Sequence, residues 1–197
     1  WICPVPGYDR HFSVTQDFGF EMITVPLKGE DLDVDKIAEI AASSPNVKGI
    51  WLIPQYSNPS GIIYSDEAVK AIASMKTAAE DFRIFWDNAY CVHHLEFDNI
   101  HTVYDIGKAC RDAGNPDRYL KFASTSKLTL QGSGISCMAA SKANIDDVLS
   151  HMVYQTIGYD KINMLRHVKF LKDKAHVLEL MKRHAEILKP KLDIVLN

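Results

Sequence analysis

Short apolar runs alternate with longer amphipathic runs along the chain, and this alternation restricts the fold more than any other feature of the sequence. The runs that read as β-strands are 20–27, 47–54, 83–90, 119–125 and 135–141. The runs that read as helices are 32–43, 65–82, 103–113 and 160–189, the last of which Pro190 ends. Alternating strands and helices form a mostly parallel sheet with helices on both faces. We therefore predict an α/β fold, a three-layer α/β/α sandwich with a mostly parallel sheet.

Two of these runs show how the residues select the element. VKGIWLIP (47–54) is apolar and β-branched, as is typical of a strand that is buried on both faces. In the run 65–82, Ser65 can cap the first turn, and apolar residues such as Val69 and Ile72 recur at helical spacing. The sequence therefore predicts a buried strand followed by an amphipathic helix.

Composition and charge argue against several classes of protein. Apolar residues make up 47% of the 197 residues, which is enough for a substantial core and argues against disorder. The formal net charge is −3 and no basic stripe is present, so we expect no nucleic-acid partner. The sequence shows no signal peptide and no apolar run long enough to span a bilayer, so we expect no membrane partner.

The four cysteines are widely spaced and form no CxxC pair, so the sequence predicts neither a disulfide framework nor a zinc site. They are Cys3, Cys91, Cys110 and Cys137. Because free cysteines are usual in a reducing compartment, we expect a cytoplasmic protein. The chain lacks an initiator Met, and both of its ends look cut, which indicates a piece of a longer protein.

Polar side chains follow three of the predicted strands directly. Asn58 follows the second predicted strand, Asp87 and Tyr90 lie at the end of the third, and Lys127 follows the fourth. Ligands of such sheets bind beyond the carboxyl ends of the strands. We therefore expect these side chains to face one crevice.

Lys127 stands in the segment STSK at the end of an apolar run. An amine is nucleophilic when it is deprotonated, and burial near other cations favours that form. The alternatives are a phosphate or salt-bridge contact, or an ordinary surface lysine, which is the commoner role of this residue type. Ser124, Thr125 and Ser126 could donate hydrogen bonds to a phosphate, and the glycines that follow would let backbone approach it. The alternative for this segment is an ordinary polar turn.

The remaining candidates suit a planar, charged ligand. Asp87, at the rim of a buried strand, needs a cationic partner such as a protonated ring nitrogen, unless it caps a helix or a turn. The phenol of Tyr90 can donate to a ring oxygen or can simply pack. Asn58, in QYSNPSG, is either an amide donor held at a strand end or a residue that favours the turn. Tyr8, after a proline turn, could lie flat on a planar ligand or pack against the protein.

His93 and His94 follow Tyr90 closely and could ligate a metal ion. Adjacent side chains point apart on regular backbone, however, so a packing role is more frequent. We therefore predict no metal site.

The segments occur in the order N-P-S-G, D-x-A-Y and S-x-S-K, with 29 residues from Asn58 to Asp87 and 40 residues from Asp87 to Lys127. This order and spacing resembles that of the fold-type I pyridoxal-phosphate-dependent aminotransferases. The segments CPVPGYDRHF, SNPSG, DNAYCVHHL, STSK and QTIGYDKINMLRH resemble, more narrowly, the aspartate aminotransferase subgroup often called MocR-like. Each motif alone is loose, but the ordered set is specific and covers nearly the whole chain.

The resemblance implies a role for each candidate residue toward pyridoxal 5'-phosphate. Lys127 would form the internal aldimine and would then act as the base that moves the substrate proton. Asp87 would pair with the pyridinium nitrogen, which makes the ring an electron sink. Tyr90 and Asn58 would hydrogen-bond the phenolic oxygen, and Tyr8 would stack on the face of the ring.

The phosphate site departs from the usual family pattern. The resemblance implies that Ser124 binds the phosphate and that Ser126 assists. Many relatives carry G-x-R after the lysine, with the arginine on the phosphate, whereas this chain has GSG, so that Gly134 stands in the place of the arginine. Backbone N–H groups, Ser133 or a basic residue elsewhere are the alternatives for the missing contact. The glycine-rich segment is typical of the subgroup.

The resemblance also implies an activity and a domain. Residues 1–197 would be the cofactor-binding large domain, with the phosphate loop before residue 1 and the small domain after residue 197. The protein would be a homodimer that transfers an amino group from an acidic amino acid, such as aspartate, to a 2-oxo acid by a ping-pong mechanism. The alternatives are a β-lyase or decarboxylase on the same fold, or the effector-sensing domain of a MocR-type transcription regulator.

Overall fold

A single six-stranded sheet organises residues 1–196, the part of the chain that the computed structural model describes. The strands are β1 (Ile2–Val5), β2 (Ile23–Pro26), β3 (Gly49–Leu52), β4 (Arg83–Asp87), β5 (Tyr119–Ser124) and β6 (Ser136–Ala140). They lie in the order β2-β1-β3-β4-β5-β6, and all neighbours are parallel except β6, which runs antiparallel to β5. This mostly parallel sheet confirms the predicted α/β fold.

Seven helices accompany the sheet within the same described residues. They are α1 (Asp9–Asp17), α2 (Val34–Ser43), α3 (Asp66–Ser74), α4 (Ile106–Asp112), α5 (Lys142–Gln155), α6 (Lys161–Leu171) and α7 (Lys174–Leu196). Side-chain caps begin several of them. Asp33 accepts a hydrogen bond from the N–H of Lys36, and Ser65 accepts one from the N–H of Ala68. In the described part of the chain, no helix combines the length and the apolarity needed to cross a membrane.

The interior of the sheet is apolar. Ile2, Ile50 and Ile84, from three adjacent strands, are fully buried, and Ile72 of α3 and Ile106 of α4 belong to the same cluster. A parallel strand that is buried on both faces needs apolar residues at successive positions. This requirement explains why VKGIWLIP forms β3.

The helix predicted at 65–82 ends at Ser74. The guanidinium of Arg118 donates to the carbonyls of Ala73 and Met75, at 3.2 and 2.7 Å. It therefore pairs with backbone acceptors that the next turn of a continuing helix would have used. This tertiary contact accounts for the early end of α3 and has no signal in the local sequence.

The helical stretch predicted at 160–189 forms two helices, α6 and α7. Lys172 between them has a left-handed backbone (φ 56°), and the side chain of Asp173 accepts an N–H of the first turn of α7 at 2.9 Å. The prediction that Pro190 ends the helix is wrong, because Pro190 lies inside α7. Pro190 and Glu186 are both exposed, so water can satisfy the Glu186 carbonyl that loses its helical partner.

The apolar pattern does not predict α1, because the residues that this helix buries are the polar His11 and Thr15. The helix α5 is not among the predicted helical runs either, although its sequence signals it. Ser141 caps its first turn, and apolar residues recur at helical spacing, namely Ile145, Val148, Leu149 and Met152.

Two predicted boundaries shift by a few residues. The strand predicted at 83–90 ends at Asp87, and the helix predicted at 103–113 begins at Ile106. Asp105 sets the start of that helix, because its side chain accepts a first-turn N–H at 2.6 Å.

We predict that Arg118→Met lowers the free energy of unfolding by about 1–3 kcal/mol. The substitution keeps the aliphatic stem but removes the donor to the Met75 carbonyl, whereas the Ala73 carbonyl keeps its bond from the Asn115 side chain. Urea denaturation at neutral pH measures the change. Lys76→Met, at an exposed lysine of the segment after α3, is the matched control and should change stability by less than about 0.5 kcal/mol. Equally small effects of the two substitutions would contradict the role given to Arg118.

Candidate active site

The carboxyl ends of β3, β4 and β5 meet at one edge of the sheet, because these strands are parallel neighbours. Asp87 is the last residue of β4 and pairs in register with Phe122 of β5. Asn58 and Lys127 follow β3 and β5 at the same edge. The candidate residues of three separate segments therefore follow a single sheet edge, where ligands of such sheets bind.

Lys127 and Tyr90 are in contact across this edge. The Nζ of Lys127 lies 5.0 Å from the centroid of the Tyr90 ring, within the range of a cation–π contact. Lys127 is exposed and stands in a turn in which the N–H groups of Leu128 and Thr129 both donate to the carbonyl of Thr125. The turn holds the backbone of the lysine while its amine remains accessible.

Asp87 has a partner that the sequence patterns did not reveal. The Nε2 of His11 lies 3.0 Å from the Oδ2 of Asp87, and the His11 side chain is buried whereas that of Asp87 remains 24% exposed. Tyr8 packs edge-on against His11, with ring centroids 5.4 Å apart. Tyr8 and Asp87, which are candidates from distant segments, thus both contact His11. The available signal was the position of His11 three residues after Tyr8, on the first turn of α1.

The imidazole of His11 is itself fixed from the opposite side. It stacks on the indole of Trp51, with centroids 4.2 Å apart and planes 10° apart. The indole Nε1 donates to the Thr15 hydroxyl at 2.8 Å, and that hydroxyl donates to the His11 carbonyl at 2.6 Å. These contacts leave the ring of His11 little freedom, so it holds the Asp87 carboxylate in one orientation.

Asn58 lies in a tight turn that follows β3. The N–H of Gly61 donates to the carbonyl of Ser57 at 2.6 Å, and the N–H of Ser57 donates to the carbonyl of Ile62 at 3.0 Å. Ser57 lines the same small pocket as Tyr8, which brings this turn to the aromatic side of the site. Within residues 1–196 the half-buried side chain of Asn58 forms no hydrogen bond, so its amide remains available.

The hydroxyl residues before Lys127 divide into two groups. Thr125 is used internally, because its hydroxyl accepts from the N–H of Ile135 at 2.9 Å and its N–H donates to the carbonyl of that residue. The Ser124 hydroxyl accepts only a long contact, 3.3 Å, from the N–H of Ser126. Ser124 and Ser126, which the resemblance assigns to the phosphate, therefore have weaker hydrogen bonding within the protein than Thr125 between them.

Gly134 packs directly against Ser126. A Cβ atom at residue 134 would overlap the Ser126 hydroxyl and would lie 3.0 Å from the Ser126 N and Cα atoms. Backbone contacts this close are tighter than nine in ten of those that real Cβ atoms make, and the Ser126 hydroxyl would have to rotate away. The turn therefore disfavours a side chain at residue 134, where the family resemblance implies an arginine in many members.

His93 and His94 serve different partners. The Nε2 of His93 lies 3.4 Å from the carbonyl oxygen of Lys127, and the Nδ1 of His94 lies 2.8 Å from the Tyr56 hydroxyl. Burial lowers the pKa of both imidazoles. In residues 1–196 no three or more His, Cys, Asp or Glu side chains are grouped as metal ligands would be.

A cavity of about 390 Å³ lies beside the turn that carries Lys127. It is lined by the residues that follow Lys127, from Leu128 to Ser133, and by α6 and α7. Ser133, the alternative for the missing phosphate contact, lines this cavity, whereas Asp87, Tyr90 and Lys127 do not.

Comparison with known proteins gives a consistent result. A family model described as aspartate amino-transferase matches residues 1–197. The chain is 45% identical over 199 residues to the aspartate aminotransferase of Corynebacterium glutamicum, covering 100% of this chain and 45% of that protein. A solved structure of an aspartate transaminase from the same organism matches with a TM-score of 0.94 at 45% identity, over 100% of this chain and 46% of that chain.

A more distant structure shares the fold. The aspartate aminotransferase from Thermus thermophilus with maleate has a TM-score of 0.81 at 20% identity, and the match covers 99% of this chain and 49% of that chain. At this identity the likeness shows the fold alone. The chain spans about half the length of the curated relatives that it matches.

We predict that Gly134→Ala lowers the free energy of unfolding by about 1–3 kcal/mol, because the added Cβ forces the Ser126 backbone to move. Chemical denaturation measures the loss. Gly158→Ala is the matched control, since a Cβ there would meet no atom within 4 Å, and it should change stability by less than about 0.5 kcal/mol. A Gly134→Ala protein of parental stability would show that the turn can admit a side chain.

We predict that stability decreases as pH falls below about 6.5, the ordinary pKa of histidine. Because burial lowers the pKa of His93 and His94, the unfolded chain takes up protons in this window that the folded chain resists. The stabilisation is complete above the window and is lost as pH falls through it. The measurement is the unfolding temperature at about pH 7.5 and about pH 5.5.

The histidine substitutions isolate this effect. The double variant His93→Gln, His94→Gln should show a smaller decrease between the two pH values than the parent. His151→Gln, at an exposed histidine, should retain the parental decrease. If all three proteins changed equally, the two buried imidazoles would not be the source of the pH dependence.

Proposed function

Because the chain belongs to the aspartate aminotransferase family, we propose that residues 1–197 are the cofactor-binding large domain of a pyridoxal-phosphate-dependent transaminase. The proposed reaction transfers the amino group of an acidic amino acid, aspartate by preference, to a 2-oxo acid in two half-reactions, a ping-pong scheme. The observation that carries the proposal is the contact of the Lys127 amine with the Tyr90 ring, three residues beyond Asp87.

The residues at the sheet edge fit pyridoxal 5'-phosphate. Two buried polar atoms at this edge, the Oδ1 of Asn88 and the Nδ1 of His93, have no hydrogen-bond partner within residues 1–196. Buried polar atoms without a partner are costly, so such an edge favours completion by a further group. When bound, the cofactor supplies an electron sink for negative charge at the substrate α-carbon.

Asp87 provides the charge that this chemistry needs. Its carboxylate lies at the end of β4, its Oδ2 contacts His11, and the side chain remains partly exposed toward the edge. A carboxylate beside a ring nitrogen favours the protonated form of that nitrogen. His11 orients the carboxylate, and Tyr8, edge-on to His11, provides an aromatic face for a ring.

Lys127 provides the amine and the base. Its Nζ lies 5.0 Å from the centroid of the Tyr90 ring, and its side chain is exposed. After release by the substrate amine, this group would move the proton at the substrate α-carbon. Asn58 and Tyr90 would hold the phenolic oxygen of the cofactor from two sides, because an amide N–H and a phenol O–H are both donors.

The phosphate would rest on Ser124, Ser126 and nearby backbone N–H groups. Hydroxyls and turn N–H groups bind phosphate without a full positive charge. Since residue 134 is a glycine in a closely packed turn, the charge-assisted contact that the resemblance implies for many family members must come from another residue of the protein or be absent.

A homodimer is consistent with the surface of the chain. The helices α5 and α6 and the segment between them expose large apolar side chains, among them Tyr154, Ile157, Ile162 and Val168. Exposed apolar area of this extent is typical of an interaction surface, and a second copy would cover it. The four cysteines are free thiols, in keeping with the proposed cytoplasmic location.

The decisive experiment mixes the complete gene product with pyridoxal phosphate, aspartate and a 2-oxo acid. We expect a visible absorption band that changes on addition of aspartate, and formation of the new amino acid. Release of ammonia or CO₂ in place of amino transfer would indicate the lyase or decarboxylase alternative. Cofactor binding without turnover, together with a DNA-binding segment in the gene product, would indicate the regulator.

We predict that Lys127→Ala removes the visible band and lowers the rate of amino transfer by at least about 100-fold, because it removes both the covalent anchor and the base. Lys142→Ala, at an exposed lysine at the start of α5, is the control and should retain band and rate. A Lys127→Ala protein that transfers amino groups at the parental rate would refute the mechanism.

A further inference from the structure

Resting on the proposed function, we propose that Tyr56 and His94 form a clamp that positions Asn58 and Tyr90 on the phenolic oxygen of the cofactor. The clamp is the hydrogen bond between the Tyr56 hydroxyl and the Nδ1 of His94, 2.8 Å long. It joins the loop after β3 to the loop after β4. Tyr56 and His94 would be positioning residues, because they act through Asn58 and Tyr90.

The contact is well defined. His94 is only 6% exposed, and its ring packs edge-on against both Tyr56 and Phe97, with centroids 5.8 and 5.7 Å apart. Burial raises the pKa of Tyr56 and lowers the pKa of His94, so both groups are neutral near pH 7. The tautomer of His94 sets the direction of the bond, because either the phenol donates to Nδ1 or an Nδ1–H donates to the phenol oxygen.

The backbone of Tyr56 is in a strained conformation. Its φ is +51°, a left-handed conformation that a bulky residue rarely adopts. Such conformations persist where the surrounding contacts enforce them, and they concentrate at functional sites. The side-chain bond to His94 is one of the contacts that surround Tyr56 in this state.

The clamp lies next to both residues that it would position. Asn58 is two residues beyond Tyr56, in the turn closed by the Gly61 to Ser57 hydrogen bond of 2.6 Å. Tyr90 is four residues before His94, and its carbonyl accepts the N–H of the intervening His93 at 3.0 Å. Each functional side chain therefore stands on a hydrogen-bonded turn that is adjacent in sequence to one half of the clamp.

A second bond joins the same two loops farther away. The Gln55 side chain donates to the carbonyl of His101 at 2.7 Å. His101 is far from Tyr90 along the chain, so this bond secures the loops without setting the position of the phenol. The loops should therefore remain folded when the Tyr56 hydroxyl is removed, which makes the clamp testable.

The test compares two ligands of the cofactor-free complete gene product: pyridoxal 5'-phosphate, and its 3-deoxy analogue, which lacks the phenolic oxygen. Tyr56→Phe removes one oxygen atom from the clamp. We expect it to weaken binding of pyridoxal phosphate about fivefold, the effect of one net hydrogen bond, and to leave binding of the analogue unchanged. Tyr104→Phe, at another half-buried tyrosine, is the control and should change neither.

Substitutions at His94, the other residue of the clamp, test the proposal independently. His94→Asn retains an amide that can pair with the phenol and should keep most of the preference for pyridoxal phosphate over the analogue. His94→Leu removes the partner of the phenol and should lose that preference. These two variants decide the question if Tyr56→Phe fails to fold.

The outcomes separate the clamp from the proposed function. Equal weakening of both ligands by Tyr56→Phe would show a general structural role and would overturn the clamp. Unchanged preference in Tyr56→Phe and His94→Leu, in a protein that binds pyridoxal phosphate, would also overturn the clamp while the proposed function stands. A parent protein that binds neither ligand would overturn both.

Discussion

The parallel register of β3, β4 and β5 is the constraint on which the candidate site depends. Backbone hydrogen bonds set Asp87 beside Phe122 whatever the lengths of the intervening segments. Residues that are 29 and 40 positions apart along the chain thereby reach one edge of the sheet. The sheet thus brings the segments together, and the loops after the strands set the directions of the side chains. Turns and single side-chain hydrogen bonds are sufficient for this.

Around Asp87, aromatic side chains set the orientation of the carboxylate. A carboxylate at the rim of an apolar sheet loses part of its hydration, and a nearby donor compensates for that loss. His11 is that donor. Trp51 restrains it, because the indole stacks on the imidazole with ring centroids 4.2 Å apart and donates a hydrogen bond to the Thr15 hydroxyl. The orientation of the Asp87 carboxylate thus depends on a series of contacts that begins at the half-buried Trp51 of β3 and ends at the partly exposed Asp87.

The fold and the strand-end candidates could be predicted from the sequence because both leave local signals. Apolar alternation marks strands, and the rule for parallel sheets then places the residues that follow them. His11, Arg118 and the Tyr56–His94 pair could not be predicted in this way. Each is a polar group whose role is set by a partner distant in sequence, and such pairs have no periodicity. The prediction that Pro190 ends a helix was wrong for a related reason. Water can satisfy the carbonyl that loses its helical partner where that part of the helix is exposed, and exposure depends on the tertiary structure.

The start of α1 has a consequence that reaches beyond local geometry. Tyr8 caps this helix and His11 lies on its first turn, so one rigid element carries both the aromatic face and the group that holds Asp87. A tilt of α1 would displace both side chains at once. The surface that Tyr8 presents and the orientation of the Asp87 carboxylate are therefore linked, since any displacement of this helix changes both together.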